Sequence, residues 1–331
     1  MPDFSPTDAA FEGFRFTKEK PGAVGAWAAA TLIFNLASAV MGALIGGSSL
    51  VEFQQLAQAP AFDWVGFGFL LPRLLPALAI TVLINLLGSA VVYASAVRTF
   101  ISLDHKVSIR AGRDEGRIVL LLLTYGFIWF IVSAITGLAF GVLANVMSGA
   151  VPSVVEYWDS MPVLVRNFLA GLFLLIPPSA VIVRLSLAPV IVVDHRHVVL
   201  RGRWAARLGH IWPFSLLFYL IAVFKESWIS TKGHFWPLAG SLALSGGLYV
   251  IVVFVGLLVV MSLAQVLSIS THGVIGPHTL TGASETSLAD LIKPAAIFGE
   301  LITALMIAVL LPVACGPLVR AYQAYDAPDV V

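Results

Sequence analysis

A single cysteine, Cys315, stands among 331 residues, so the chain has no intrachain disulfide and no cysteine-rich metal site. Charge is equally scarce: Asp, Glu, Lys and Arg make up 11% of the residues, against roughly 25% in ordinary soluble domains. It is missing altogether from long stretches, residues 21–51, 74–97, 118–155, 167–183, 233–284 and 301–319. Carboxylates are therefore nearly absent from the apolar runs, which argues against a relay of intramembrane acids for protons or sodium. No glycine-rich phosphate loop, dinucleotide fingerprint, nucleophile elbow or HExxH pair occurs. No catalytic constellation, metal site or cofactor is implied. A net charge of +1 gives no reason to expect a nucleic-acid partner.

What is present is apolar. Hydrophobic residues reach 59% and the mean hydropathy is +0.95, more apolar surface than a soluble core of this size can hide. Most of the uncharged stretches exceed the ~17–25 residues a helix needs to cross the hydrocarbon, and the shortest matches it. A β-barrel would instead show alternating segments of about 10 residues. The sequence predicts an all-α, polytopic transmembrane helical bundle forming one integral membrane domain over residues 1–331. The opening residues are polar and mixed in sign (Asp3, Asp8, Glu12, Arg15, Lys18, Glu19, Lys20). They do not resemble a cleaved signal, so the first apolar helix is read as retained.

Basic residues cluster at Arg15–Lys20, Arg98–Arg117 and Arg184–Arg207, and basic loops stay in the cytoplasm. The segments near Ser48–Pro72 and Ser148–Pro162 hold Glu52, Asp63, Glu156 and Asp159 and few basic residues. They are assigned outside, with Trp64 and Trp158 at the interface. This predicts a cytoplasmic segment over 1–20 and hairpins over 21–104 and 105–194. A cytoplasmic or interfacial insert follows over 195–236, and a third hairpin over 237–331. The apolar run Ile211–Phe224 falls short of a span, so six spans are favoured and seven is the alternative. The six-span version also leaves the loop Ser268–Ser287, free of Lys and Arg, outside.

Repeats run through the chain. Asp104-His-Lys-VSIRA-Gly-Arg113 returns as Asp194-His-Arg-HVVLR-Gly-Arg203. Arg98, Arg184 and Arg320 each stand near the cytoplasmic end of an even-numbered span, where an arginine can snorkel and favours the negative end of the helix dipole. Three arginines in one topological place point to parallel repeats of one hairpin. Trp204-x4-Gly209-His210-x-Trp212-Pro213 is echoed by Trp228-x4-Gly233-His234-x-Trp236-Pro237. Both read as aromatic anchors at headgroup depth, or as part of a headgroup or partner site. Pro177-Pro178 is expected to kink or break the fourth span.

The second of these segments, SWISTKGHFWPLAG at Ser227–Gly240, resembles a motif of one bacterial family. That family comprises the membrane domain of glycerophosphoryl diester phosphodiesterases and related stand-alone inner-membrane proteins. Ser227, Trp228, Thr231, Lys232, Gly233, Phe235, Trp236, Leu238 and Gly240 match its pattern, and GFRFTKEKPGAVGAW at Gly13–Trp27 is similar to the segment leading into its first helix. The phosphodiesterase domain is absent. The resemblance therefore implies a fold and a bacterial inner membrane, not hydrolysis.

Candidate headgroup or partner contacts are Lys106, Arg110, Arg113, Arg117, Arg196, Arg201, Arg203 and Arg207, joined by His210, Trp212, His234 and Trp236. Glu300 could form an intramembrane ion pair with Arg73 or Arg166, and Asn35 and Asn85 suit interhelical hydrogen bonds. His105, His195 and His197 also gather on the inner face, where they read as loop residues. Three function classes follow. The first is a non-enzymatic protein that binds membrane lipid, anionic phospholipid above all, or another membrane protein. The second is a transporter or channel for a small solute. The third, an intramembrane lipid-modifying enzyme, has only the histidine cluster behind it.

Overall fold

The computed structural model describes residues 4–58, 63–102, 107–110, 112–150, 160, 163–194, 214–270 and 294–325. Every regular element among them is helical: α1 Pro6–Glu19, α2 Pro21–Gln58, α3 Trp64–Ile101, α4 Arg113–Ala150, α5 Val163–Leu185, α6 Ala188–Asp194, α7 Phe214–Ser230, α8 Phe235–Ser270 and α9 Pro294–Tyr325. Among the described residues six stretches are long and apolar enough to cross a membrane: Pro21–Phe53, Trp64–Ile101, Arg113–Val142, Leu174–Asp194, Phe235–Ser262 and Ala296–Tyr325. This is the expected helical, six-span architecture. Side chains such as Phe69, Val65, Phe130 and Leu138 stand 70–79% exposed. Only lipid accommodates such a surface, and in lipid a helix satisfies its own backbone.

Local chemistry sets the ends. Ser5 caps α1 by accepting from the Asp8 amide, with Pro6 at the first helical position, where a missing N–H costs nothing. Asp63 caps α3 by accepting from the Val65 and Gly66 amides, both at 3.0 Å. The polar N-terminal segment is thus a docked helix. The fourth span does not break at its prolines, since α5 continues as a helix through Pro177 and Pro178. A non-helical residue lies in α2, at Gly47, whose φ of 40° suits a residue without a side chain.

The helices gather into two compact units, one from Met1–Gly116 with Gly240–Ala324, the other from Arg117–Ala239 with Tyr325–Val331. In the first, α2 and α3 form an antiparallel pair. Trp27 Nε1 donates to Ser95 Oγ at 3.1 Å, and Asn85 Nδ2 to Ser38 Oγ at 2.9 Å. Gly88 abuts the Phe34 ring, 2.6 Å from where a β-carbon would stand. Proline chemistry explains one further contact. Pro317 has no N–H for the Val313 carbonyl one turn earlier, and the Ser245 hydroxyl donates to that carbonyl at 2.6 Å instead.

In the second unit, α7 packs against α5 and α6. Leu220, Val223 and Ser227 recur at helical spacing and are buried, while Leu217, Ile221 and Trp228 on other faces are exposed. The run expected to stay out of the span count is therefore a helix half-buried on its neighbours. It reaches past Lys225 and Glu226 into the tryptophan segment.

Candidate functional site, an arginine held by two aromatic rings

In the second unit the SWISTKGHFW segment closes around the end of α5. Ser227 and Thr231 are fully buried, which a hydroxyl tolerates only when hydrogen-bonded. Ser227 Oγ donates to the Arg184 carbonyl at 3.0 Å, and Thr231 Oγ1 lies 3.3 Å from it and 2.9 Å from the Ser227 carbonyl. The Arg184 carbonyl needs such partners because the last carbonyls of a helix have none within it. Tyr125 adds a donor to the next carbonyl, that of Leu185, and its ring lies 5.7 Å from Phe224.

Arg184 answers in kind. Its Nη1 donates to the Thr231 carbonyl at 2.8 Å. The guanidinium lies 4.8 Å from the Phe235 ring centre and 5.6 Å from that of Trp228, within cation–π range. The turn that brings Phe235 round needs Gly233, whose φ of 88° is left-handed. There the Thr231 carbonyl also accepts the His234 amide at 3.2 Å. Buried Leu238 then anchors the first turn of α8. Ser227, Trp228, Thr231 and Phe235 together hold Arg184, and Gly233 makes the turn that lets them.

The held group is half-buried and has no carboxylate within 4.0 Å among the described residues. Arginine carries five N–H donors in a rigid fork, and one is committed here. Two rings and a carbonyl fix the plane, leaving an edge suited to the paired oxygens of a phosphate. Lys232 is exposed in the same turn. Trp228 and Trp236 are 47% and 80% exposed, as tryptophans at headgroup depth are.

The other candidates are scattered. Arg110 is exposed and lies 3.8 Å from Asp114; Arg113 is exposed at the start of α4. Arg117 sits over the Tyr219 ring at 4.4 Å. His234 stacks on Tyr325 with centroids 4.4 Å apart, and its Nδ1 has no hydrogen-bond partner. Lys106, Arg196, Arg201, Arg203, Arg207, His210 and Trp212 lie outside the described residues, as do His105, His195 and His197. Glu300 accepts from Asn35 Nδ2 at 3.1 Å. Arg73 is exposed and not among its partners, and the side chain of Arg166 lies outside the described ones. No three His, Cys, Asp or Glu come together as metal ligands among the described residues.

Sequence reasoning treated the three helix-end arginines alike, and the structure separates them. Arg184 is clamped, Arg320 is half-exposed beside Glu12, and Arg98 is buried against Glu115 at 2.7 Å rather than snorkelling. The only signal for the Arg184 site was the SWxST spacing, which carries no indication of its partner. No family model matches the chain, and neither a curated protein nor a solved structure does.

Proposed function

We propose that this chain is a non-enzymatic integral protein of a bacterial inner membrane that holds anionic phospholipid through Arg184 and the basic residues of the segments 98–117 and 184–207. The carrying observation is the oriented, carboxylate-free guanidinium between Trp228 and Phe235. Basic charge in the segments 98–117 and 184–207 supports the same reading, since each Lys or Arg near an anionic surface contributes about 1 kcal/mol. The resemblance of Ser227–Gly240 supports the compartment, and the charge rule supports a cytoplasmic N-terminus.

Lipid retained by the purified protein tests this. Arg184→Gln keeps a donor for the Thr231 carbonyl and removes the charge, and should lower phosphatidylglycerol or cardiolipin in native mass spectra about fivefold, in line with the per-charge figure. Neutralising Arg110, Arg113, Arg201 and Arg203 together should lower it further. Unchanged lipid in both variants would leave the basic residues as topology signals only. A second reading, passage of a small solute, rests on the polar seam of Asn35 with Glu300 and Ser38 with Asn85. It would be favoured by a small polar solute that co-purifies and is lost on Glu300→Gln.

Orientation has its own test. Cysteine placed at Ser230 in a Cys315→Ala background should resist a membrane-impermeant thiol reagent in spheroplasts and react once they are lysed. Ready labelling before lysis would put the end of α7 outside and overturn the cytoplasmic assignment.

A further inference from the structure

A second place, in the first unit, is built for a different charge pattern. α1, the end of α3 and the end of α9 enclose a cleft of about 290 Å³ lined by Glu12, Arg15, Phe16, Glu19, Lys20, Phe100, Ile101, Ser102, Val319, Arg320 and Gln323. Its depth follows from the span ends. Lys20 directly precedes the span that starts at Pro21, Ser102 directly follows the one that ends at Ile101, and Gln323 stands two residues before the end of the last, at Tyr325. The cleft opens where headgroups lie.

Its floor is apolar. Phe16 stacks on Trp27 at 5.8 Å and meets Phe100 at 4.3 Å, and Trp27 is fully buried. Its walls carry both signs. Glu12 Oε2 is 3.5 Å from Arg15 and 3.4 Å from Arg320, and both arginines are about half exposed. Arg320 Nη2 donates to Glu12, but both contacts are long for a charge-assisted hydrogen bond, which is normally ~2.7–2.9 Å, and each arginine keeps N–H donors for a further oxygen. Glu19 and Lys20 are exposed and make no ion pair among the described residues.

We propose that this cleft binds a phosphate bearing a primary amine, the phosphoethanolamine unit. The phosphate lies against Arg15, Lys20 and Arg320, its methylenes cross Phe16 and Phe100, and the ammonium donates to Glu12 and Glu19. A ligand with only negative charge meets two carboxylates, and like charges held close select against it. A ligand with only positive charge meets three cations. A quaternary amine presents no N–H to the carboxylates. The same chemistry is present in a lipid headgroup and in a soluble glycerophosphoethanolamine.

The test uses the full chain in nanodiscs of phosphatidylcholine containing a minor share of either phosphatidylethanolamine or phosphatidylglycerol, with bound lipid read by native mass spectrometry. Phosphatidylethanolamine should be retained about tenfold over phosphatidylcholine, the effect of ~1.4 kcal/mol. Glu19→Gln, an exposed change with no packing to lose, should reduce that preference, and Glu12→Gln with Glu19→Gln should abolish it. Arg184→Gln should leave it intact, so this proposal and the anionic-lipid reading fail separately. Calorimetry with glycerophosphoethanolamine decides the source. Binding that saturates there, with no lipid preference, assigns the cleft to a soluble ligand. Equal retention of ethanolamine and choline lipids together with no calorimetric binding overturns the proposal, as does an ethanolamine preference that survives Glu12→Gln with Glu19→Gln.

Discussion

Glu115→Gln is expected to destabilise the protein by about 3–5 kcal/mol, the cost of stranding one member of a buried ion pair. Arg98 and Glu115 join the end of α3 to the first turn of α4 within the first unit. Their side chains are 13% and 3% exposed and 2.7 Å apart. Beyond this contact Arg98 Nη2 reaches the Ser108 carbonyl at 3.3 Å, whereas Arg98 Nε and Nη1 have no hydrogen-bond partner and neither do the two Glu115 oxygens. The pair is close in distance and poor in angle, so it rests on charge more than on aligned hydrogen bonds. Removing Glu115 leaves a largely buried guanidinium with one long carbonyl contact. Arg98→Met should cost a similar amount through the stranded carboxylate. The double exchange Arg98→Met with Glu115→Leu removes both charges and should cost far less than the sum of the single changes. Unfolding in a detergent–denaturant titration supplies the cycle. Strictly additive single and double variants would refute the stranded-charge account.

Gly13→Leu is expected to detach α1 from the bundle. A β-carbon on Gly13 would lie 2.3 Å from the Pro312 carbonyl oxygen and 2.5 Å from Val313 Cα. One on Gly316 would lie 2.9 Å from the Gly13 amide nitrogen. These neighbours are backbone and cannot swing aside as a side chain would. Small residues on both helices are what permit so close an approach in lipid. Gly13→Ala should already cost about 1–3 kcal/mol, the usual penalty of overpacking, and leucine more, seen as a lower melting temperature and faster proteolysis within residues 4–20. Because α1 forms one wall of the headgroup cleft, the leucine variant should also lose its lipid preference there. A Gly13→Leu protein with unchanged melting and proteolysis would mean that α1 is not held by this contact.

The architecture was legible in the residues because a bilayer imposes few solutions. A spanning helix must satisfy its own backbone and needs about 20 apolar residues, and both conditions are local. Hence the apolar centres of the six spans could be read from uncharged stretches alone, though not the start of the second at Trp64, and α7 could be kept apart because Ile211–Phe224 is short. Its true extent, Phe214–Ser230, was not legible. Lys225 and Glu226 end the apolar run but not the helix, since both stay exposed while Val223 and Ser227 are buried.

The sites needed tertiary structure. The amino-acid types said that Arg98, Arg184 and Arg320 each end a span, and the same types in the same place met three different fates. Arg98 finds Glu115 in the first turn of α4, Arg184 finds the Thr231 carbonyl and two rings, and Arg320 finds Glu12 from the opposite end of the chain. Backbone carbonyls look alike at every position, and close approaches such as Gly13 to Pro312 join residues remote in sequence. Neither has a local signature. Composition and periodicity therefore determined where the chain resides and how many times it crosses. Which charges are buried, which are clamped and which line a cleft was decided only when helices distant in sequence came into contact.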